Sequence, residues 1–149
     1  MKDIVILFHE NCADGFTGAW VARKKFGDEA SYIGVSDHKT LPEGLEGKDV
    51  YLIDFTHTAA ATEELLKIAK SVTIIDHHIT SKEIIESVPN HLYALNHSGA
   101  VLAWQYFFKD KPVPMFLQYV EDGDLWNFDL PQSEDFFAFQ ETLEYDFEL

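Results

Sequence analysis

A parallel, Rossmann-like α/β sheet of about five strands, covered by helices on both faces and followed by a helical carboxyl-terminal part, is the architecture this chain predicts. Three observations carry that expectation. Short apolar runs rich in β-branched residues recur, DIVILF at 3–8, DVYLI at 49–53 and VTII at 72–75, and their continuous hydrophobicity suits strands buried on both faces. Helical stretches alternate with them, which favours βαβ units joined by right-handed crossovers. Each run also stops at an ionisable residue, His9, Asp54 or Asp76, and the carboxyl ends of strands in open α/β sheets are where ligands bind.

The elements follow in order. After the first strand comes a polar turn with His9, Asn11, Cys12 and Asp14-Gly15, then a helix over 16–26, where Phe16, Trp20, Val21 and Phe26 recur at helical spacing and Gly27 is placed to stop it. Residues 30–35 read as a second strand and 41–48, with Pro42, Gly44 and Gly47, as a loop. The third strand, 49–53, leads to a helix over 59–70 with Thr58 as N-cap. The fourth strand, 72–75, is followed by a short helix at 81–87 and a fifth strand at 92–95. Ser98-Gly99-Ala100 then opens an apolar helix over 101–108, Pro112 and Pro114 separate it from another at 115–120, and a last helix spans 134–145. Ser133 is its expected N-cap, and Phe136, Phe139 and Leu143 share a stripe. No internal repeat or linker interrupts the 149 residues, so one domain is expected.

Composition narrows the partners. Lys and Arg number 11 against 26 Asp and Glu, a net charge of -15, which repels a phosphate backbone and argues against broad binding of duplex nucleic acid. No apolar run is long enough to cross a bilayer, and Met1-Lys2-Asp3 leads directly into a strand with no signal-peptide pattern. The single cysteine, Cys12, cannot form an internal disulfide. A cytoplasmic protein without membrane contact is the expectation. After Lys111 there is no Lys or Arg, and this acidic, aromatic carboxyl-terminal segment suits an oligomer or partner surface.

The chemistry concentrates in SVTIIDHHIT, 71–80. Asp76, His77 and His78 stand together at the end of a strand, where three ionisable side chains are costly unless they bind something. Aligned strand ends would gather His9, Cys12, Asp14, Asp54, Asp76, His77 and His78 along one edge. Such an oxygen-rich set with imidazole added suits divalent Mn or Mg, with Fe, Co and Zn admitted by the histidines. Asp54 is the natural carboxylate to bridge a pair of ions about 3.5–4 Å apart, the arrangement that clamps both oxygens of a phosphoryl displacement.

Four motifs in order, FHENCADG, LIDF, DHH and YVEDGD, make the chain resemble the DHH phosphoesterase superfamily, which includes RecJ nucleases, oligoribonucleases and family II inorganic pyrophosphatases. The match runs from the first strand to about Phe128. The resemblance implies a manganese-dependent phosphohydrolase or phosphodiesterase that cleaves a P–O bond of a nucleotide-like small molecule or short oligonucleotide with a metal-activated water. It implies two Mn ions, replaceable by Mg, Co or Zn, one held by His9 and Asp54 and the other by Asp14, Asp54, His77 and Asp122. Of Asp122 and Asp124, which are two apart, Asp122 is preferred. His78 would face the substrate phosphate, with Asp76 supporting the imidazoles, and Asn11 would contribute to substrate binding. Ser98 and Gly99 would offer backbone N–H groups to a phosphate.

Cys12 stands where most relatives carry an aspartate, and either ligates as thiolate, softening the site towards Zn or Fe, or is a bystander. The spacing from His9 to Asp14 is one residue shorter than in many relatives, and an alternative alignment makes Asp14 the ligand of the first metal. Trp126 and the final aromatic stripe read as packing. His38, His57, His91 and His97 read as surface or capping residues, with His57, three after Asp54, the nearest to the site. Larger superfamily members continue into a DHH-associated domain that binds substrate across a cleft, and no such segment is found before Leu149. A degenerate metal-binding scaffold or interaction module is the competing reading.

Overall fold

The apolar runs pair as five parallel strands in a computed structural model that describes residues 2–147. They are β1 (Ile4–His9), β2 (Ala30–Val35), β3 (Asp49–Ile53), β4 (Ser71–Asp76) and β5 (Asn90–Tyr93), in the spatial order β2-β1-β3-β4-β5. Side chains alternate across such a sheet, and here both sides are apolar. Val5, Leu7, Val50, Leu52, Val72 and Ile74 face one core, while Ile6, Phe8, Ile53 and Ile75 face the other. That explains why the runs are continuous rather than alternating.

Helices cover both cores. On one side lie α1 (Ala13–Phe26) and α4 (Gly99–Phe107), which pack on one another through Ala19, Ala22 and the buried stretch from Ala100 to Trp104. The helix α5 (Met115–Asp124) joins them through Leu117, and α6 (Ser133–Gln140) lies against α5. On the other side α2 (Ala59–Ile68) contributes Leu65 and α3 (Lys82–Ser87) contributes Ile85. The loop between β2 and β3 fills the remaining space with Leu45. This is the Rossmann-like α/β sheet expected from the sequence.

The strand order places the site. From β1 the chain moves outward to β2, then returns to the opposite side of β1 as β3. The strand order therefore reverses between β1 and β3, and the crevice outside their carboxyl ends is the switch point where ligands bind in such sheets. His9 ends β1 and Asp54 follows β3.

Several boundaries differ from expectation. The helix α1 begins at Ala13, not at residue 16, so Asp14 sits in its first turn, where a carboxylate meets the positive end of the helix dipole. The strand β5 is displaced to Asn90–Tyr93, and α5 continues to Asp124 instead of ending at 120. Ser133 is the buried first residue of α6 rather than its cap; that position is taken by Gln132 in a left-handed conformation, φ 60°. The helix stops at Gln140. Beyond it the chain runs back over α1, where Phe147 stacks on Phe16 with centroids 4.6 Å apart. The expected stripe is consequently broken, with Phe139 and Leu143 exposed. Among the described residues, no helix is long and apolar enough to cross a membrane.

Candidate metal centre

Asp54 lies at the centre of the crevice. Its backbone N–H donates to the carbonyl of Ile75 (2.9 Å), which keeps it registered to β4, while a positive φ of 54° turns the chain away from the sheet. Left-handed backbone is disfavoured outside glycine and concentrates at ligand sites. The buried carboxylate faces two ways. Oδ1 is 3.1 Å from His77 Nε2, and Oδ2 is 3.6 Å from both His9 Nδ1 and Cys12 Sγ.

His77 Nε2 meets two further carboxylates, Asp14 Oδ2 and Asp124 Oδ2, each at 3.6 Å. Three sets of side chains therefore converge closely enough to hold a metal ion: His9, Cys12 and Asp54; Asp14, His77 and Asp124; and Asp54 with Asp76, His77 and His78. Glycines permit the crowding. A Cβ on Gly99 would stand 2.6 Å from Asp54 Cβ and 3.0 Å from Asp14 Oδ2.

The electrostatics follow from the crowding. Burial, with the neighbouring charges of Asp54 and Asp124, raises Asp14 well above the ordinary carboxylate range despite the amides it accepts from. Burial and the Asp54 charge raise Asp124 in the same way. Asp54 goes the other way: burial opposes its ionisation, yet hydrogen bonds from His77 and His9 outweigh that cost and lower it. His9 is raised by its bond to Asp54, and His77, though burial pulls it down, is raised by the same carboxylate. Burial and the Asp54 charge push the Cys12 thiol up to about 12. Three carboxylates around one imidazole is an arrangement that added positive charge would relieve.

Asp76 has a supporting position. Its Oδ2 accepts from the Thr56 hydroxyl (2.6 Å), and its Oδ1 accepts from the backbone N–H of His77 (2.7 Å) and of His78 (3.3 Å) and from His78 Nδ1 (2.6 Å). That last bond pushes His78 up to about 9. Donation by Nδ1 leaves Nε2 of a half-exposed ring free for a ligand. A small cavity of about 160 Å³ opens at this point, lined by His9, His38, Asp54, Thr56, Asp76 and His78 among others.

Two sequence-based assignments need correction. Asp122 is outside the cluster, because its carboxylate accepts from the backbone N–H groups of Asp129 (3.1 Å) and Leu130 (3.0 Å) and so anchors the chain after α5. Asp124 takes its place, with an Oδ2 that is buried and has no hydrogen-bond partner. A signal for this was present: Leu117, Val120 and Asp124 follow helical spacing, so Asp124 falls in line with the apolar stripe of α5 once the helix is extended that far. Nor are the amides at the start of α4 available to a phosphate. Gly99 N–H donates to Asp14 Oδ2 (2.6 Å), Ala100 N–H to Asp14 Oδ1 (2.9 Å), and Ser98 N–H to Glu121 Oε2 (2.9 Å), while the Ser98 hydroxyl caps Val101 N–H.

The remaining residues divide simply. Asn11 is exposed, with a left-handed φ of 53°, and lies on the rim of a cleft beside Cys12 and Asp14. His57 is buried away from the cluster, with Nδ1 3.2 Å from the His38 carbonyl. His97 pairs with Glu121 at 3.0 Å, and His91 binds the Val88 carbonyl. Thr56 and His38 were not anticipated as site residues, and Asp124 was the alternative set aside for Asp122.

No protein-family model matches the chain. Over 162 aligned residues it is 30% identical to an uncharacterized protein of Acanthamoeba polyphaga mimivirus, a match that covers 97% of this chain and 38% of that protein. The fold is similar to the crystal structure of an uncharacterized protein from Helicobacter pylori G27, with a TM-score of 0.66 and 16% identity over 87% of this chain and 45% of that one. The chain thus spans less than half the length of either protein, and shares with the second an α/β fold.

Proposed function

We propose that this chain is the catalytic domain of a divalent-metal-dependent phosphohydrolase of the DHH phosphoesterase type, acting on a P–O bond of a nucleotide-like or short oligonucleotide substrate. The observation that carries this reading is Asp54, a buried carboxylate whose two oxygens face separate donor sets. That is what a bridge between two cations requires.

The donors present fit such a pair. His9, Cys12 and Asp54 would hold one ion, and Asp14, His77 and Asp124 the other, with Asp54 Oδ1 3.1 Å from His77 Nε2 beside the second set. Oxygen and imidazole ligands favour manganese, with Mg, Co or Zn as substitutes, and the unpartnered Asp124 Oδ2 is an acceptor in want of a cation. When bound, the ions supply a water of lowered pKa and neutralise charge on the phosphoryl oxygens. The chain's own groups do the rest. Asp76, fixed by Thr56 and two backbone amides, orients His78 and stabilises its protonated form. Cationic His78, at the mouth of the small cavity, offers Nε2–H to a phosphoryl oxygen.

The test is to compare wild type and Asp54→Ala on phosphodiester and phosphomonoester substrates, with Mn²⁺ and with chelator, while circular dichroism monitors the fold. Wild type should turn over only with the metal, and the variant should lose both metal and turnover. Hydrolysis by folded Asp54→Ala would overturn the bridge.

A further inference from the structure

Beside Asp14 and Asp124, an open cleft of about 280 Å³ lies between the start of α1 and the turn from α5 into α6. Its lining includes Asp14, Asp124, Trp126, Phe137, Gln140 and Glu141. Trp126 is not core packing, because it is 72% exposed. Its ring is nonetheless held, nearly perpendicular to Phe128 and Phe137 at centroid distances of 4.9 and 5.6 Å, and its backbone is left-handed with φ 60°. A propped, exposed indole on a disfavoured backbone is what a stacking platform requires.

Gln140 supplies the second observation. It is 5% exposed, yet its Oε1 is buried and has no hydrogen-bond partner. A buried acceptor left unpaired is costly, and an incoming N–H donor satisfies it. Of the charged residues lining the cleft, Asp14 and Asp124 belong to the metal cluster and Glu141 is the third, and no Lys or Arg lines it. Beyond the cluster itself nothing in the lining holds an anionic group, whereas an uncharged planar group with N–H donors is accommodated. Nucleobases bearing an exocyclic amino group have that chemistry, a π-face for the indole and an N–H edge for the amide.

We propose that this cleft is a nucleobase subsite, with Trp126 stacking on the base and Gln140 accepting from its amino group while the phosphate lies at the cluster. The proposal rests on the phosphohydrolase reading and makes the substrate one that carries an amino-bearing base.

Calorimetric titration of the Mn²⁺-loaded protein with AMP and with ribose 5-phosphate isolates the base, since both carry the same phosphate. Wild type should bind AMP roughly tenfold or more tightly than ribose 5-phosphate. Trp126→Ala should abolish that ratio and Trp126→Phe should retain part of it. Gln140→Leu should remove the preference for AMP over purine riboside 5′-phosphate, which lacks the amino group. Equal binding of AMP and ribose 5-phosphate by wild type, or an unchanged ratio in Trp126→Ala, overturns the subsite. The two readings fail separately. Base-selective binding without any Mn²⁺-dependent hydrolysis would sink the phosphohydrolase and leave the subsite standing. Hydrolysis indifferent to the base would sink the subsite alone, and absence of binding by either ligand overturns the subsite, while the phosphohydrolase reading stands or falls on Mn²⁺-dependent turnover.

Discussion

The Asp14 carboxylate and the Gly99 amide lie 2.6 Å apart, joining the first turn of α1 to the first turn of α4 across 85 residues of sequence. Ala100 N–H takes the other oxygen at 2.9 Å, so one side chain satisfies two of the amides that a helix start leaves unpaired. Asp14 thereby both closes α4 and faces His77 at 3.6 Å. Cluster geometry and helix packing are a single structural problem here.

Gly99→Ala tests that coupling. The added methyl would sit 2.6 Å from Asp54 Cβ and 3.0 Å from Asp14 Oδ2, and neither can retreat without moving the cluster. Overpacking of this kind costs about 1–3 kcal/mol. Urea denaturation should show a loss in that range, and Mn²⁺ titration a weakened affinity. Unchanged values in both would mean that α4 does not constrain the site.

Asp122 and Asp124, two residues apart, should respond oppositely to amidation. Asp124→Asn removes a partly buried carboxyl that burial and its neighbours already hold above its ordinary pKa, so chelated protein should be as stable as wild type or more so, while the metal bound per chain falls. Asp122→Asn weakens the anchor for Asp129 and Leu130, and should cost about 1–3 kcal/mol with metal content retained. Melting curves in chelator beside metal analysis distinguish the two. The reverse pattern would return the ligand role to Asp122.

The sheet was legible because strands buried on both faces leave continuous apolar runs, and the gathering of ionisable side chains at its edge because those runs stop at His9, Asp54 and Asp76. What failed depended on long-range partners. Nothing near Ser98-Gly99 reveals that Asp14, far earlier in the chain, takes the amides of α4. Ending α5 at residue 120 hid the alignment of Asp124 with Leu117 and Val120. Trp126 read as packing rather than as a base-stacking platform, and only its 72% exposure in the fold shows that it is outside the core.

His57 should make the protein sensitive to mild acid. Burial lowers its pKa below 6.5, its Nδ1–H donates to the His38 carbonyl, and Nε2 is buried without a partner. A histidine depressed in the fold contributes its full stability above the unfolded value of about 6.5 and loses it as pH falls through that value, since the unfolded chain binds the proton first. His57→Gln keeps a donor for the carbonyl and removes the titration. Its melting temperature should therefore fall less than that of wild type between pH 7.5 and 5. The raised histidines His9, His77 and His78 act with opposite sign in both proteins and cancel in the comparison. Parallel curves would remove His57 from the acid response.

Cys12 should set metal preference. Its Sγ lies 3.6 Å from Asp54 Oδ2, and it groups with His9 and Asp54 as a ligand set. Burial and the Asp54 charge hold its thiol up to about 12, so the thiolate forms only where a cation compensates it, and softer cations do so best. Cys12→Ser presents a harder oxygen at the same place. The variant should lose affinity for Zn²⁺ and Co²⁺ relative to Mn²⁺, by roughly tenfold or more, a loss on the scale seen when a metal site is perturbed. Competition titrations against a chromophoric chelator measure the ratio directly. Identical ratios in the two proteins would make Cys12 a packing residue and leave the first ion to His9 and Asp54.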